Sequence, residues 1–141
     1  MSDVIDRPPN EAPAIRVTAM PSDTNPYGDI FGGWLMSQMD LAAASVASRH
    51  SGGRAVTIAV DAMTFHRPVF VGDEVSVFGR LVHVGRSSMK VDVETWRRAR
   101  GEQSHEKVTQ ASFTFVAVDD QRRPRPAPPL PSPATASIAA A

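Results

Sequence analysis

Residues 25–53 read NPYGDIFGGWLMSQMDLAAASVASRHSGG and contain a long segment with helical periodicity. From residue 33 to about residue 49 there is no proline, and apolar side chains recur at spacings of three and four. The glycines of HSGG stand where helices commonly stop. The segment therefore predicts a helix over residues 33–49. Its predicted apolar face comprises Leu35, Met36, Met39, Ala42, Ala43, Val46 and Ala47.

The predicted helix lacks a clean polar face, because Trp34 and Leu41 interrupt the side that should be polar. A helix that is apolar almost all round is covered on more than one side. Its remaining face carries mostly small residues, which allow another backbone or a ligand to approach closely. We expect a second subunit to pack there. This stripe consists of Gly33, Ser37, Asp40, Ala44, Ala47 and Ser48, of which only Asp40 is charged.

Outside the helix the apolar pattern has a period of two, which is typical of strands. Tight connections join the last four predicted strands, so the sheet should be antiparallel. One helix against one such sheet is an α+β arrangement of two layers. The predicted strands cover residues 14–20, 55–65, 74–84, 87–98 and 107–118.

A chain of 141 residues predicts one domain. Proline-rich ends bury too little apolar area to offset the entropy of ordering, so we expect three regions. Residues 1–13 form a flexible N-terminal segment, residues 14–125 form the folded domain, and residues 126–141 form a disordered Pro/Ala-rich tail.

Composition argues against several function classes. Lys and Arg number 15, as do Asp and Glu, whereas a nucleic-acid binder is usually basic. The absence of Cys excludes disulfides, thiolate catalysis and Cys-ligated metal sites. No apolar run reaches the roughly 18 residues of a membrane span, and the N-terminus does not read as a secretory signal. We therefore expect a cytoplasmic protein.

Two features of the opening stretch can carry chemistry. Gly32 and Gly33 stand at the start of the predicted helix, where free backbone amides can stabilise an oxyanion if a substrate carbonyl approaches. Asp40 is a carboxylate on a helix that should be largely buried, and such a group can act as a base. The same residues are also compatible with purely structural roles. The glycines can serve only a tight loop, Asp29 can simply favour the helix dipole, and Asp40 can be solvated or ion-paired.

Other motifs in the sequence do not support a catalytic or metal-binding function. The S-x-x-K pattern at residues 87–90 falls on a predicted strand, where its Ser and Lys point to opposite faces. The four histidines lack the spacing of metal ligands, and no lysine follows the glycines as a P-loop requires.

Three stretches together resemble a known family. They read AMPSDTNPYGDIFGGWLMSQMD (19–40), VTIAVDAMTFHRPVFVGDEVSVFGRLVHVGRSSMKVDVETW (56–96) and ASFTFVAVDDQRRPRP (111–126). In order and nearly without gaps, they resemble the hotdog-fold acyl-CoA thioesterases of the YciA type. The resemblance implies a hotdog fold, in which a curved antiparallel sheet wraps around one long central helix. It also implies hydrolysis of fatty acyl-CoA to the free acid and CoA.

The resemblance also implies roles for individual residues. Asp40 matches the family's acidic catalytic position, as general base on water or as nucleophile. Gly32 and Gly33 match the positions whose amides polarise the thioester carbonyl. Asp29 matches a polar position that orients water or substrate from the opposite protomer. The CoA contacts implied by the family match Arg67, Gly85, Arg86, Ser87 and Ser88.

By the same resemblance, no metal or redox cofactor is expected, and CoA enters only as part of the substrate. Two protomers should share the active site, and three such dimers should form a hexamer. The hotdog fold also serves three other functions. A hydratase would need a His near Asp40 or in the entry loop, and none is there. An acyl-CoA-sensing regulator would need a DNA-binding module, for which the N-terminal segment is too short. A non-catalytic acyl-CoA-binding protein is the alternative that the sequence still allows.

Overall fold

The computed structural model describes residues 7–131, which form one helix packed on one five-stranded sheet. The predicted order of one strand, one helix and four strands is confirmed. The helix starts one residue earlier than predicted, at Gly32, and ends later, at Ser51. In chain order the elements are β1 (Ile15–Thr18), a short 3₁₀ turn (Pro21–Asp23), α1 (Gly32–Ser51), β2 (Ala55–Phe65), β3 (Glu74–Val84), β4 (Ser88–Arg98) and β5 (Glu106–Ala117).

The sheet is antiparallel throughout, with strand order β1-β3-β4-β5-β2. Helix α1 crosses one face of it and contacts β2, β3, β4 and β5. The core lies between these two layers and is closed by large side chains of β4, β5 and α1, such as Phe113, Phe115, Met39 and Met89. Within residues 7–131 no helix is both long enough and apolar enough to cross a membrane.

Helix α1 stops where its glycines predict. Gly52 adopts the left-handed conformation, with φ of 72°, and its amide donates to the Ser48 carbonyl. A residue with a Cβ pays a steric cost in that conformation, so glycine suits this position.

The faces of α1 differ from the prediction at two positions. Ala47, which the sequence places on both the apolar face and the small-residue stripe, is fully buried in the core and so does not belong to the stripe. Met36, which the spacing predicts on the apolar face, is 41 % exposed, and Leu41 is 59 % exposed. The sheet therefore covers less of the circumference of α1 than its apolar pattern suggests.

The helix approaches the sheet most tightly at Gly79 of β3. A Cβ added there would lie 3.1 Å from Val46 Cγ2 and 3.8 Å from the Ala42 carbonyl oxygen. Contacts this short leave little room for a side chain between the layers. The absence of one at Gly79 thus sets the distance between α1 and β3.

The turn before β3 is held by a buried ion pair. Arg97 donates to Asp73 at 2.9 Å and to Glu106 at 2.5 Å, and Asp73 also accepts from the Phe70 amide. Burial alone would lower the pKa of Arg97, but its hydrogen bonds and charge interactions with the two carboxylates outweigh that effect and raise the pKa. The guanidinium also lies over the Phe70 ring, 5.4 Å from its centroid.

This turn fixes the entry to α1. The amide of Ile30, which is buried two residues before the helix begins, donates to the Val69 carbonyl at 3.3 Å. The ion pair at Asp73 therefore supports the segment that delivers the helix N-terminus.

Packing continues beyond both ends of the predicted 14–125 unit. Pro9 and Glu11 line a small cavity with Phe78 and Glu94, so they lie over the face of the sheet opposite α1. After Arg125, the Ala127 amide donates to a carbonyl of the β3–β4 connection. Residues 1–6 and 132–141, which hold the rest of the predicted segment and tail, lie outside the described residues.

We expect Gly79→Val to lower the free energy of unfolding by about 1–3 kcal/mol, because its methyl groups would press on Val46 and overpack the interface. Chemical denaturation of both proteins measures the difference. Arg80→Val is the control, since Arg80 is exposed on the opposite face and should change stability by about 0.5 kcal/mol or less. Equal stability of Gly79→Val and the unmodified protein would refute the tight contact.

Candidate active site

Asp40 projects from the side of α1 that faces β2. The hydroxyl of Thr57 donates to Asp40 Oδ1 at 2.6 Å. Asp40 Oδ2 has no hydrogen-bond partner among residues 7–131. The carboxylate is thus fixed by one oxygen and available through the other.

Thr57 is a site residue that the sequence analysis missed. It lies on the face of β2 toward the helix, where it pairs with the buried Phe115 of β5. A threonine is common in strands, so its identity carries no signal. Only its placement 17 positions after Asp40, on the helix-facing side of β2, could have suggested the contact.

The start of α1 presents free backbone amides. Phe31 is the N-cap residue and provides no side-chain cap, and the amides of Gly32 and Gly33 have no acceptor within the described part of the chain. The rings of Phe31 and Phe65 stand beside these glycines: a Cβ added at Gly33 or Gly32 would lie 3.2 or 3.4 Å from them. Aromatic walls and partial positive charge make this helix end suitable for a carbonyl oxygen.

The amides and Asp40 are separated along the helix. Gly33 and Asp40 are seven residues apart on α1, which corresponds to about 10 Å at 1.5 Å per residue. A single thioester carbonyl cannot contact two groups of the same helix that lie this far apart. The amides and the carboxylate of one chain are therefore too far apart to act on the same carbonyl.

Asp29 lies in a loop organised by Asn25. The Asn25 side-chain oxygen accepts from the amides of Tyr27 and Asp29, and the Asn25 amide donates to the Asp29 carbonyl at 2.7 Å. Asp29 is exposed, and its carboxylate has no hydrogen-bond partner among residues 7–131. The loop brings Asp29 to the N-terminal end of α1, away from Asp40.

The predicted CoA contacts fall at opposite ends of the sheet. Arg67 follows the end of β2, where Phe65 pairs with Thr109. Residues 85–88 lead into β4, whose first residue, Ser88, pairs with Val116. Thr109 and Val116 are seven positions apart on β5, or about 23 Å at 3.3 Å per residue. CoA carries all its phosphates on one nucleotide. A single CoA therefore cannot bind both groups of one chain through its phosphates.

The two ends also differ in their free charge. Arg67 lies 3.6 Å from Glu106 and donates to the Lys107 carbonyl at 3.1 Å. Arg86 is exposed and forms no ion pair within the described residues. Its turn is tight, because the Gly85 amide donates to the Ser88 carbonyl and a Cβ at Gly85 would lie 2.6 Å from Ser88 Oγ. The available cation is the one at the turn of residues 85–88.

Strand β2 is an edge strand with an unusual amount of apolar exposure. It pairs with β5 on one side and with no strand on the other side in residues 7–131. Ile58 is 58 % exposed and Val60 is 38 % exposed. An exposed apolar edge strand is a template for pairing with another chain.

Known proteins are similar to this chain in sequence and architecture. The family model "Thioesterase superfamily" matches residues 27–103. An uncharacterized acyl-CoA thioester hydrolase of Zymomonas mobilis is 57 % identical over 116 residues, covering 82 % of this chain and 78 % of the relative. The acyl-CoA thioester hydrolase YciA of Escherichia coli K12 is 46 % identical over 114 residues, covering 79 % of this chain and 86 % of the relative.

A solved structure also supports the family assignment. The hexameric hotdog fold thioesterase of Campylobacter jejuni superposes with a TM-score of 0.79 at 40 % identity, covering 91 % of this chain and 96 % of that one. The predicted hotdog fold is thereby confirmed. The chain belongs to the thioesterase superfamily, among the YciA-type acyl-CoA thioester hydrolases.

Proposed function

We propose that the protein hydrolyses the thioester bond of fatty acyl-CoA, with Asp40 as the catalytic carboxylate. The observation that carries this proposal is the Thr57–Asp40 hydrogen bond, which orients one carboxylate oxygen and leaves the other free. The names of the relatives, acyl-CoA thioester hydrolases, supply the substrate class. The chemistry uses water, a carboxylate and backbone amides and calls for no metal or redox cofactor.

In the general-base route, Asp40 Oδ2 takes a proton from water while the water oxygen attacks the thioester carbonyl carbon. The amides of Gly32 and Gly33 hold the negative oxygen of the tetrahedral intermediate. The C–S bond then breaks, and the departing CoA sulfur takes the proton. In the nucleophilic route, Asp40 Oδ2 attacks the carbon itself, the C–S bond breaks, and CoA leaves as the thiolate. Water then hydrolyses the resulting anhydride to the free acid and the Asp40 carboxylate, and the proton that water releases neutralises the CoA thiolate. Both routes need the same free oxygen.

The catalytic groups come together across a dimer in this proposal. If two β2 edges pair antiparallel, the helix N-terminus of one protomer lies beside the middle of the partner's helix. The partner's Asp40 then faces the amides of Gly32 and Gly33, and Asp29 joins the site from the loop beside them. Hexameric thioesterases such as the Campylobacter jejuni protein support assembly of three such dimers.

The same pairing assigns the CoA nucleotide to one end of the sheet. The turn of residues 85–88 lies at the end of the sheet where β2 begins, and antiparallel pairing brings that end beside the partner's helix N-terminus. Arg86 and the turn amides then hold phosphate groups while the thioester reaches the amides. Arg67, at the opposite end of the sheet, is ion-paired with Glu106 and contributes less to phosphate binding in this proposal.

Asp40→Asn should lower kcat by about 10²–10⁴-fold, because the amide keeps the shape of the side chain but cannot accept the proton. Thiol release from short- to long-chain acyl-CoAs, followed with a thiol reagent, measures this, and calorimetry checks that CoA still binds. Asp92→Asn, on the exposed face of β4, is the matched control. Full turnover in Asp40→Asn would refute its role. No thiol release from any acyl-CoA by the unmodified protein would instead indicate a non-catalytic binder.

Arg86→Gln should raise KM for acyl-CoA about tenfold, since a charge-assisted bond to phosphate is lost. It should leave hydrolysis of the acyl N-acetylcysteamine thioester, which has no nucleotide, unchanged. Arg67→Gln is the comparison and should change KM for acyl-CoA less than threefold. The reverse ranking of the two variants would place the nucleotide at the other end of the sheet.

Ile58→Lys should dissociate the assembly, because it puts a charge on the exposed edge of β2. Light scattering at micromolar concentration gives the mass. Leu130→Lys, an apolar position of similar exposure away from β2, is the control and should leave the mass unchanged. A monomeric unmodified protein would refute a site shared between subunits.

A further inference from the structure

Arg125 forms a clamp at the junction between α1 and β2. Its Nη1 donates to the carbonyl of Ser51, the last residue of α1, at 2.9 Å, and its Nη2 donates to Ser51 Oγ at 3.1 Å. Nη2 also donates to the Arg54 carbonyl, just before β2, at 3.3 Å. Nε donates to the Val118 carbonyl after β5 at 2.8 Å. One side chain thus joins the ends of three elements.

The clamp is built of neutral acceptors. Among residues 7–131, no carboxylate lies within ion-pair distance of Arg125. Its partners include the carbonyl at the C-terminal end of α1, where the helix dipole favours a cation. Four of the five guanidinium N–H groups are used by these bonds, a pattern that an ammonium group with three donors cannot reproduce.

The connection between α1 and β2 is shaped around this guanidinium. A Cβ added at Gly53 would lie 2.8 Å from Arg125 Nη2, a distance that side-chain carbons do not adopt without a shift. At the neighbouring Gly52 a Cβ would meet nothing within 4 Å, although φ is 72°. The two glycines therefore serve different purposes, and only Gly53 makes room for Arg125.

Asp40 and Thr57 lie on the two elements that this junction connects. Asp40 precedes Ser51 by 11 residues of helix, about 16 Å, and Thr57 follows Arg54 by three residues of strand, about 10 Å. Over such lengths a rotation of about 5° at the junction displaces the two side chains by about 1 Å relative to each other. A hydrogen bond of 2.6 Å does not survive that displacement.

We propose that Arg125 is a positioning residue for catalysis, which holds the angle between α1 and β2 so that Thr57 keeps Asp40 in its productive orientation. The inference rests on the proposed role of Asp40. It concerns kcat rather than substrate binding, because the donors of Arg125 are committed to protein acceptors. A misplacement of about 1 Å can cost up to about 10²-fold in rate.

The test compares Arg125→Gln with Thr57→Val and with the double variant in the intact assembly. Arg125→Gln should lower kcat about tenfold and change KM for acyl-CoA less than twofold. Because both residues act through Asp40, the double variant should be no slower than the slower single variant. Additive losses would overturn the proposal, and a KM increase without a kcat loss would make Arg125 a substrate contact instead.

Gly53→Ala and Gly52→Ala separate positioning from general destabilisation, and they also serve if Arg125→Gln does not fold. Both should lower Tm, but only Gly53→Ala displaces the guanidinium and should lower kcat at a temperature where both proteins are folded. Equal kcat losses in the two variants would overturn the proposal. If Asp40→Asn is inactive while Arg125→Gln and Gly53→Ala keep full kcat, this inference fails and the proposed function stands. An active Asp40→Asn refutes the proposed function first.

Discussion

The rotation of α1 about its own axis is the constraint on which the site depends. Successive residues of a helix are turned by about 100°, so burying one of them decides where its neighbour points. Met39 is completely buried against the sheet, and Asp40 follows it directly. The apolar core therefore aims a carboxylate sideways, toward β2, where Thr57 receives it. Packing between Gly79 and Val46 keeps the helix at the depth where this contact is possible.

Local patterns predict the elements of this fold well, because periodicity is itself local. The alternation in residues 55–65 and 74–84 gives the bounds of β2 and β3, and HSGG gives the end of α1. Local patterns fail where a long-range contact decides which side chains are buried. Met36 is exposed because the sheet covers one side of α1 more than the other, and no spacing in the helix contains that information.

Some residues of the candidate site can likewise be recognised in the sequence, and others only in the structure. Asp40 and the glycines are recognisable because a charge or a glycine pair conflicts with the pattern around it. Thr57 conflicts with nothing, so only the three-dimensional contact identifies it. Arg67 and the turn of residues 85–88 read as one set in the sequence, yet the register of β5 places them at opposite ends. Strand register is set by pairing, which a list of residues does not express.

The clamp at Arg125 has a consequence for the order in which the protein matures during synthesis. Arg125 lies 74 residues after its partner Ser51 in the chain. On the ribosome, both α1 and β2 are therefore made long before the side chain that joins them. The sheet can be complete through β5 while the junction between α1 and β2 still lacks its clamp, which forms only when Arg125 emerges. The junction between α1 and β2 is therefore completed only after the three strands that follow β2 in the chain.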